Sequence, residues 1–139
     1  MYPYVMRVQY IRIDKYDWDL YVYYCITRTP INDIIEKLID INCPSSYIKE
    51  AYTILSQDRE NIGFTYSNAS NRTSIIVLGR TNSPNQFINS FVHEITHLQS
   101  HIGKTCGLDS HGEDVCYLAG YIAQTMFEYC NDLITDNKL

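Results

Sequence analysis

The chain of 139 residues lacks any cluster of basic residues. Its 11 Lys and Arg are scattered among 16 Asp and Glu, for a net charge of -5 at pH 7 and a pI near 5.2. Proteins that track a nucleic-acid backbone gain most of their affinity from clustered cations neutralising phosphates, so no nucleic-acid partner is expected. A long uncharged apolar run is missing as well. In the opening stretch MYPYVMRVQYIRIDKYDWDLYVYY, Arg7, Arg12, Asp14, Lys15, Asp17 and Asp19 interrupt the apolar residues every few positions. Neither a signal peptide nor a membrane span is expected there. The five cysteines (Cys25, Cys43, Cys106, Cys116, Cys130) are odd in number and contain no C-x-x-C pair. They fit free thiols in a reducing cytosol, acting as small buried hydrophobes, better than a disulfide framework. The expected location is cytoplasmic. Repeats, low-complexity tracts and linkers are also absent, and the length predicts one domain over residues 1–139 with a single active centre.

Tyrosine is abundant instead, with 13 copies, many in the first 24 residues. Tyr4 to Ile13 and Trp18 to Thr27 are rich in Tyr, Val and Ile around the turn-forming Asp14-Lys15-Tyr16-Asp17, which predicts a β-hairpin within residues 1–28. Thr29-Pro30 offers an N-cap and a proline at the first helical position, followed by Ile31, Ile34, Ile35 and Leu38 at helical spacing up to about Ile41. A short helix is predicted over Ser46 to Ser56, and strands over Ile62 to Ser67 and Ser74 to Gly79. Ser83-Pro84-Asn85-Gln86 combines a capping box with proline at the first position, so a helix is expected over about 84–102, stopped by Gly103. A second capping box, Ser110 to Glu113, opens a last helix over about 111–134. The expected fold class is α+β: an N-terminal hairpin and a small, mainly antiparallel sheet packed on helices, two of them long and C-terminal.

On the first of those long helices, His93-Glu94-Ile95-Thr96-His97 spells H-E-x-x-H. Phe87, Ile88, Phe91, Val92, Ile95, Leu98 and Ile102 fall on one apolar face, whereas His93, His97 and His101 fall opposite, with Glu94 beside them. Gln86, Asn89, Ser90, Thr96 and Ser100 complete the polar face, and Glu94 is its single charge. A solvated helix face ordinarily carries charges of both signs, so this one suits a cleft floor or a packed polar layer. Residues four apart lie one turn apart on the same side, which lets His93 and His97 aim a ring nitrogen each at one Zn²⁺ at ~2.0 to 2.1 Å. Glu94 then sits beside the attacking water.

A catalytic zinc needs a third protein ligand and an open position. The pattern H-E-x-x-H-x-x-G-x-x-H is absent, because Ser100 and Gly103 occupy its last two fixed positions. The candidates are His101, Asp109, His111, Glu113 and Asp114. Ala119, Gly120 and Ala123 form a strip of small residues where another helix can approach closely, and Glu113 projects about 70° from its middle, with Asp114 nearly opposite. Glu113 is favoured; its competing role is to close the Ser110 capping box. His101, two turns from His93, is too distant for that shell and is either a substrate-orienting group or a surface histidine.

These residues resemble the gluzincin class of zinc metallopeptidases, in which H-E-x-x-H on one helix supplies two ligands and a Glu on a following helix the third. The match is His93, Glu94 and His97 with Glu113 in G-E-D-V-C-Y, over roughly the C-terminal 60 residues. The layout of GFTYS, SIIVLGR, the motif helix and the G-E-x-x-x-Y helix also looks like short zinc-peptidase-like proteins of bacterial or phage origin. The resemblance implies a zincin-like metal site with Zn²⁺ held by His93, His97 and Glu113, Glu94 as general base, and a peptide or protein as substrate. It further implies an oxyanion donor, for which Tyr117 is the first candidate and His111 the second. For Tyr117 the competing role is one more packing aromatic. An edge strand pairing with substrate is implied too, at Ser74 to Gly79 unless that strand is internal. The alternative is a non-catalytic interaction protein on the same scaffold, using the tyrosine-rich hairpin from Tyr2 to Tyr24 as its contact surface.

Overall fold

The computed structural model describes residues 6–57 and 59–135. Strand β1 (Met6–Ile13) passes through a 3-10 turn at Asp14–Tyr16 into β2 (Trp18–Cys25), and the two pair antiparallel, with Met6 opposite Cys25 and Ile13 opposite Trp18. This is the expected hairpin; Tyr2 and Tyr4 lie outside the described residues. Asp17 closes the turn in the left-handed region at φ 52°, which Asp tolerates better than most side chains. Helices α1 (Ile31–Asp40) and α2 (Ser45–Leu55) follow, then β3 (Phe64–Asn68), β4 (Thr73–Leu78) and the long helices α3 (Pro84–Cys106) and α4 (Glu113–Thr135).

The strands lie in the order β1-β2-β4-β3; β1/β2 and β3/β4 are antiparallel and β2/β4 is parallel. Two of three pairings are therefore antiparallel, and the fold is α+β. Side-chain alternation divides the core into two layers. Trp18, Leu20, Val22 and Tyr24 of β2, with Ile76 and Leu78 of β4, pack under α3 and α4. Tyr23, Cys25, Ile75 and Val77 pack under α1 and α2. Because helices cover both faces, β4 is buried along its whole length, which is why its sequence SIIVL is apolar without alternation. The strand at Ser74 to Gly79 is thus internal, and the edge beside α3 is β3.

Three helix ends differ from expectation. Pro30, not Thr29, occupies the N-cap of α1, and the buried Thr29 Oγ1 has no hydrogen-bond partner among the described residues. Helix α3 runs through Gly103 to Cys106 and ends at Gly107, whose φ of 70° makes the left-handed cap. Gly103 stays helical because it is a contact point: a Cβ there would lie 3.4 Å from Val115 Cγ1 of α4. Gly120, by contrast, meets nothing within 4 Å, so the close approach is not centred on the Ala119–Gly120–Ala123 strip. Helix α4 begins at Glu113 itself. The preceding turn is held by Asp109, which accepts from the Gly112 and His111 amides, and Ser110 Oγ pairs with His111 Nδ1 at 3.2 Å. Glu113 therefore stands at the first helical position, not the third.

None of the five cysteines is paired; Cys25, Cys43 and Cys130 are buried, but Cys116 is exposed, contrary to the expectation of burial. Among the described residues no helix is long and apolar enough to cross a membrane.

Candidate functional site

Ser83 Oγ accepts from the Gln86 amide and caps α3, with Pro84 at the first position. That start fixes the rotation of the helix. Phe87, Phe91, Ile95, Leu98 and Ile102 go into the core, but Ile88 and Val92, expected on the same face, lie at its margins and are exposed. His93 and His97 are exposed and His101 half-buried on the opposite side. The Nε2 atoms of His93 and His97 converge to 3.3 Å. Two nitrogen ligands ~2.0 to 2.1 Å from one tetrahedral ion are about 3.3 to 3.4 Å apart, so the pair fits two positions of a zinc site without rearrangement.

Glu94 is almost fully buried, at 6% exposure, between α3 and the start of β3. Thr65 Oγ1 donates to Glu94 Oε1 at 2.8 Å and approaches the Glu94 carbonyl oxygen at 3.2 Å. The other carboxylate oxygen, Oε2, lies on the side of Gly63, 3.6 Å from where a Cβ on that residue would stand. The same hypothetical Cβ would be 2.5 Å from the Val77 carbonyl oxygen, so only glycine fits here. Beside Glu94 opens a cleft of about 530 Å³ lined by Asn61, Gly63, Asn85, Gln86, Asn89, Ser90 and His93. Apart from Gly63, His93 and Glu94 itself, the lining side chains are four amides and one hydroxyl, and Gln86, Asn89 and Ser90 of α3 belong to the uncharged polar face expected to form a cleft floor.

His101 joins β3 instead of the His93–His97 pair. Its Nδ1 lies 2.7 Å from Ser67 Oγ, which lies 2.7 Å from Ser74 Oγ, which accepts from Trp18 Nε1 at 2.8 Å. Burial first, then the neighbouring His97 and Lys104, hold the imidazole below its ordinary pKa and favour the neutral ring.

The other expected residues are not gathered here. Helix α4 docks on the Gln99 and Gly103 flank of α3, through Gln99 Nε2 donating to the Val115 carbonyl and the Gly103 contact. That flank lies about 120° to 160° around the helix from His97. Glu113 is exposed at the start of α4, and among the described residues no three His, Cys, Asp or Glu side chains come together as a metal cage. Tyr117 lies in a separate cavity of about 360 Å³ with Ile13, Lys15, Tyr16 and Tyr121, and is 67% exposed. His111 is exposed on the α3–α4 turn next to Asp109, and Asp114 faces Lys15. Neither proposed oxyanion donor lines the cleft of Glu94.

Sequence reasoning missed Thr65, Ser67 and Ser74. A hydroxyl at every second residue of β3, Thr65 then Ser67, was the available signal, because alternate strand residues share the face turned toward α3. No protein-family model, no curated protein and no solved structure matches the chain, so the functional reading rests on the geometry of its residues.

Proposed function

We propose that the chain is a zinc-dependent peptidase whose centre is His93, Glu94 and His97. The observation that carries this reading is the 3.3 Å convergence of the His93 and His97 Nε2 atoms, with His93 and the buried Glu94 lining one open cleft. When bound, Zn²⁺ supplies Lewis acidity that makes water nucleophilic near neutral pH and polarises a carbonyl. Glu94 takes the proton of the attacking water and delivers it to the leaving amine, while Thr65 holds Oε1 so that Oε2 is the working oxygen. The substrate lies extended beside β3, the edge strand next to α3, and gains main-chain hydrogen bonds that tolerate varied side chains. The opposite edge is occupied: the Tyr121 and Tyr129 hydroxyls donate to the Arg12 and Val8 carbonyls of β1.

With two histidines as the gathered ligands, the ion is expected to exchange readily and to be stripped by a chelator. Elemental mass spectrometry should find close to one zinc per chain in protein equilibrated with the metal, and much less in His93→Ala or His97→Ala. Glu94→Gln should keep its zinc and lose peptide cleavage by about 10²-fold or more, the lower range of a positioned acid–base group. Equal cleavage by Glu94→Gln and wild type would refute the mechanism.

One observation favours a second reading. Glu113 does not join the histidines, and a scaffold retaining two ligands of three fits a non-catalytic interaction protein with a vestigial metal site. Tyr10, 54% exposed on β1, is the available contact residue of the hairpin, since Tyr23 and Tyr24 are buried against helices. Protein that takes up no zinc on titration would establish this reading over the first.

A further inference from the structure

The peptidase reading leaves the site without a donor for the carbonyl oxygen that gains charge during attack, since Tyr117 and His111 lie away from the histidine pair. His101 is not part of the cleft lining beside Glu94, but it adjoins the other end of the pair, one turn beyond His97 on the same face of α3, with ring centroids 6.4 Å apart. Its chemistry is set by a chain of polar groups that starts in the core. Trp18 and Ser74 are fully buried, and indole Nε1–H can only donate. The Ser74 hydroxyl receives that bond, and among its partners Ser67 Oγ is the single acceptor for its own proton. Ser67 in turn has one remaining acceptor, His101 Nδ1. Satisfying the buried Ser74 proton and then the half-buried Ser67 proton within this set of groups orients the chain in one direction, Trp18 to Ser74 to Ser67 to His101. A neutral imidazole that accepts at Nδ1 carries its proton on Nε2.

We propose that His101 is the substrate-oxygen donor of this centre, its Nε2–H tautomer set by Trp18, Ser74 and Ser67, and that it is not a metal ligand. This rests on the peptidase reading for its acceptor, a peptide carbonyl lying beside β3, but the tautomer follows from the buried chain alone. Ser67, Ser74 and Trp18 are positioning residues that act through the ring. The reverse tautomer would free Nε2 as a ligand, but Ser67 Oγ would then accept from both Ser74 and His101, and the half-buried Ser67 proton would lose its acceptor within the chain of groups, which is costly.

The test is long-range nitrogen–proton NMR of the histidine rings in metal-free full-length protein, repeated after one equivalent of zinc, with zinc content and peptide-library cleavage measured on the same samples. The expected result is a pure Nε2–H tautomer for His101 that zinc leaves unchanged while the nitrogens of His93 and His97 move. Ser67→Ala should turn His101 into a mixture of tautomers, and Ser67→Thr should restore the single form. His101→Ala should keep its zinc and lose about 10²-fold in kcat, the size of one lost oxyanion donor. An Nδ1–H ring in wild type, a His101 nitrogen that shifts on zinc addition, or undiminished cleavage by His101→Ala would each overturn the proposal. Wild type that takes up no zinc overturns the peptidase reading and the donor role together. It is distinguished from failure of the relay, where zinc and cleavage persist with the wrong tautomer.

Discussion

A carboxylate whose two oxygens have different partners is a better-defined base than one turning in solvent, and Thr65 creates that difference at Glu94. Thr65→Val removes the hydroxyl at nearly constant volume. A hydrogen bond to a charged group is worth about 1.5 to 3 kcal/mol, so kcat/KM should fall roughly 10- to 100-fold on the same peptide while zinc per chain stays unchanged. Loss of zinc in this variant would mean that Thr65 supports the fold of the site and not the base. Deeper in the same region, Ser74→Ala strands the Trp18 indole proton in a dry core. Urea unfolding should show a loss of about 1 to 3 kcal/mol, the cost of an unsatisfied buried donor. The motif residues themselves were legible in the sequence, because an i, i+4 pair on a capped helix has one geometry whatever surrounds it. Thr65 and Ser67 were not, since they meet α3 across 29 and 34 positions of chain, and only the packing of β3 beside that helix reveals them. Glu113 stands apart from the histidines for a related reason: its helix was expected, but which flank of α3 that helix packs against, here the side of Gln99 and Gly103, is set by contacts distant in sequence.

Glycines separate the elements that need space from those that merely tolerate its cost. Gly120 is in the middle of α4 with nothing near its absent side chain. Gly120→Ala should therefore raise stability by about 0.5 to 1 kcal/mol, the helix-propensity difference, read as a higher urea midpoint. Gly63→Ala should do the opposite, because its Cβ would strike the Val77 main-chain oxygen at 2.5 Å and force β3 away from β4. A cost of about 1 to 3 kcal/mol is expected. Since the displaced segment faces Glu94 Oε2, cleavage should fall further than stability accounts for. Element types were readable from local chemistry: the hairpin from its turn residues, α3 from the Ser83–Pro84 start, and α4 from the Ser110–Glu113 start signal, although Glu113 proves to be its first residue and not the third. Element ends were less so. Gly103 has the appearance of a stop signal but serves helix contact, and the stop lies four residues on at Gly107. The place of β4 in the sheet was ambiguous for a physical reason too, as a short apolar run reads alike at an edge and in the middle until the helices covering each face are known.

At the scale of the whole molecule, the two sheet edges are treated differently. Along β1, α4 closes the edge with the Tyr121 and Tyr129 hydroxyls, with Gln9 Nε2 donating to the Thr125 carbonyl, and with the Arg7–Asp132 pair. Such closure guards β1 against strand addition by another chain and leaves β3, whose start adjoins the cleft at Gly63, as the other edge. The Arg7–Asp132 pair ties the first described strand to the last helix, and its pH dependence has a definite sign. Arg7, by hydrogen bonding to the carboxylate, holds Asp132 below its ordinary pKa. The folded-state pKa is thus lower than the unfolded one. The stability it contributes is present above the unfolded value of about 3.9 and disappears as pH falls through the depressed folded value. Asp132 is 55% exposed, so solvent screening limits the contribution to no more than about 1 kcal/mol. Asp132→Asn should accordingly melt below wild type at pH 7 in low salt, and the gap should narrow with added salt and close as pH falls through the depressed folded value. A gap that persists unchanged at acid pH would show that Asp132 acts through packing and not through its charge, and α4 would then be held on β1 by its tyrosines and Gln9 alone.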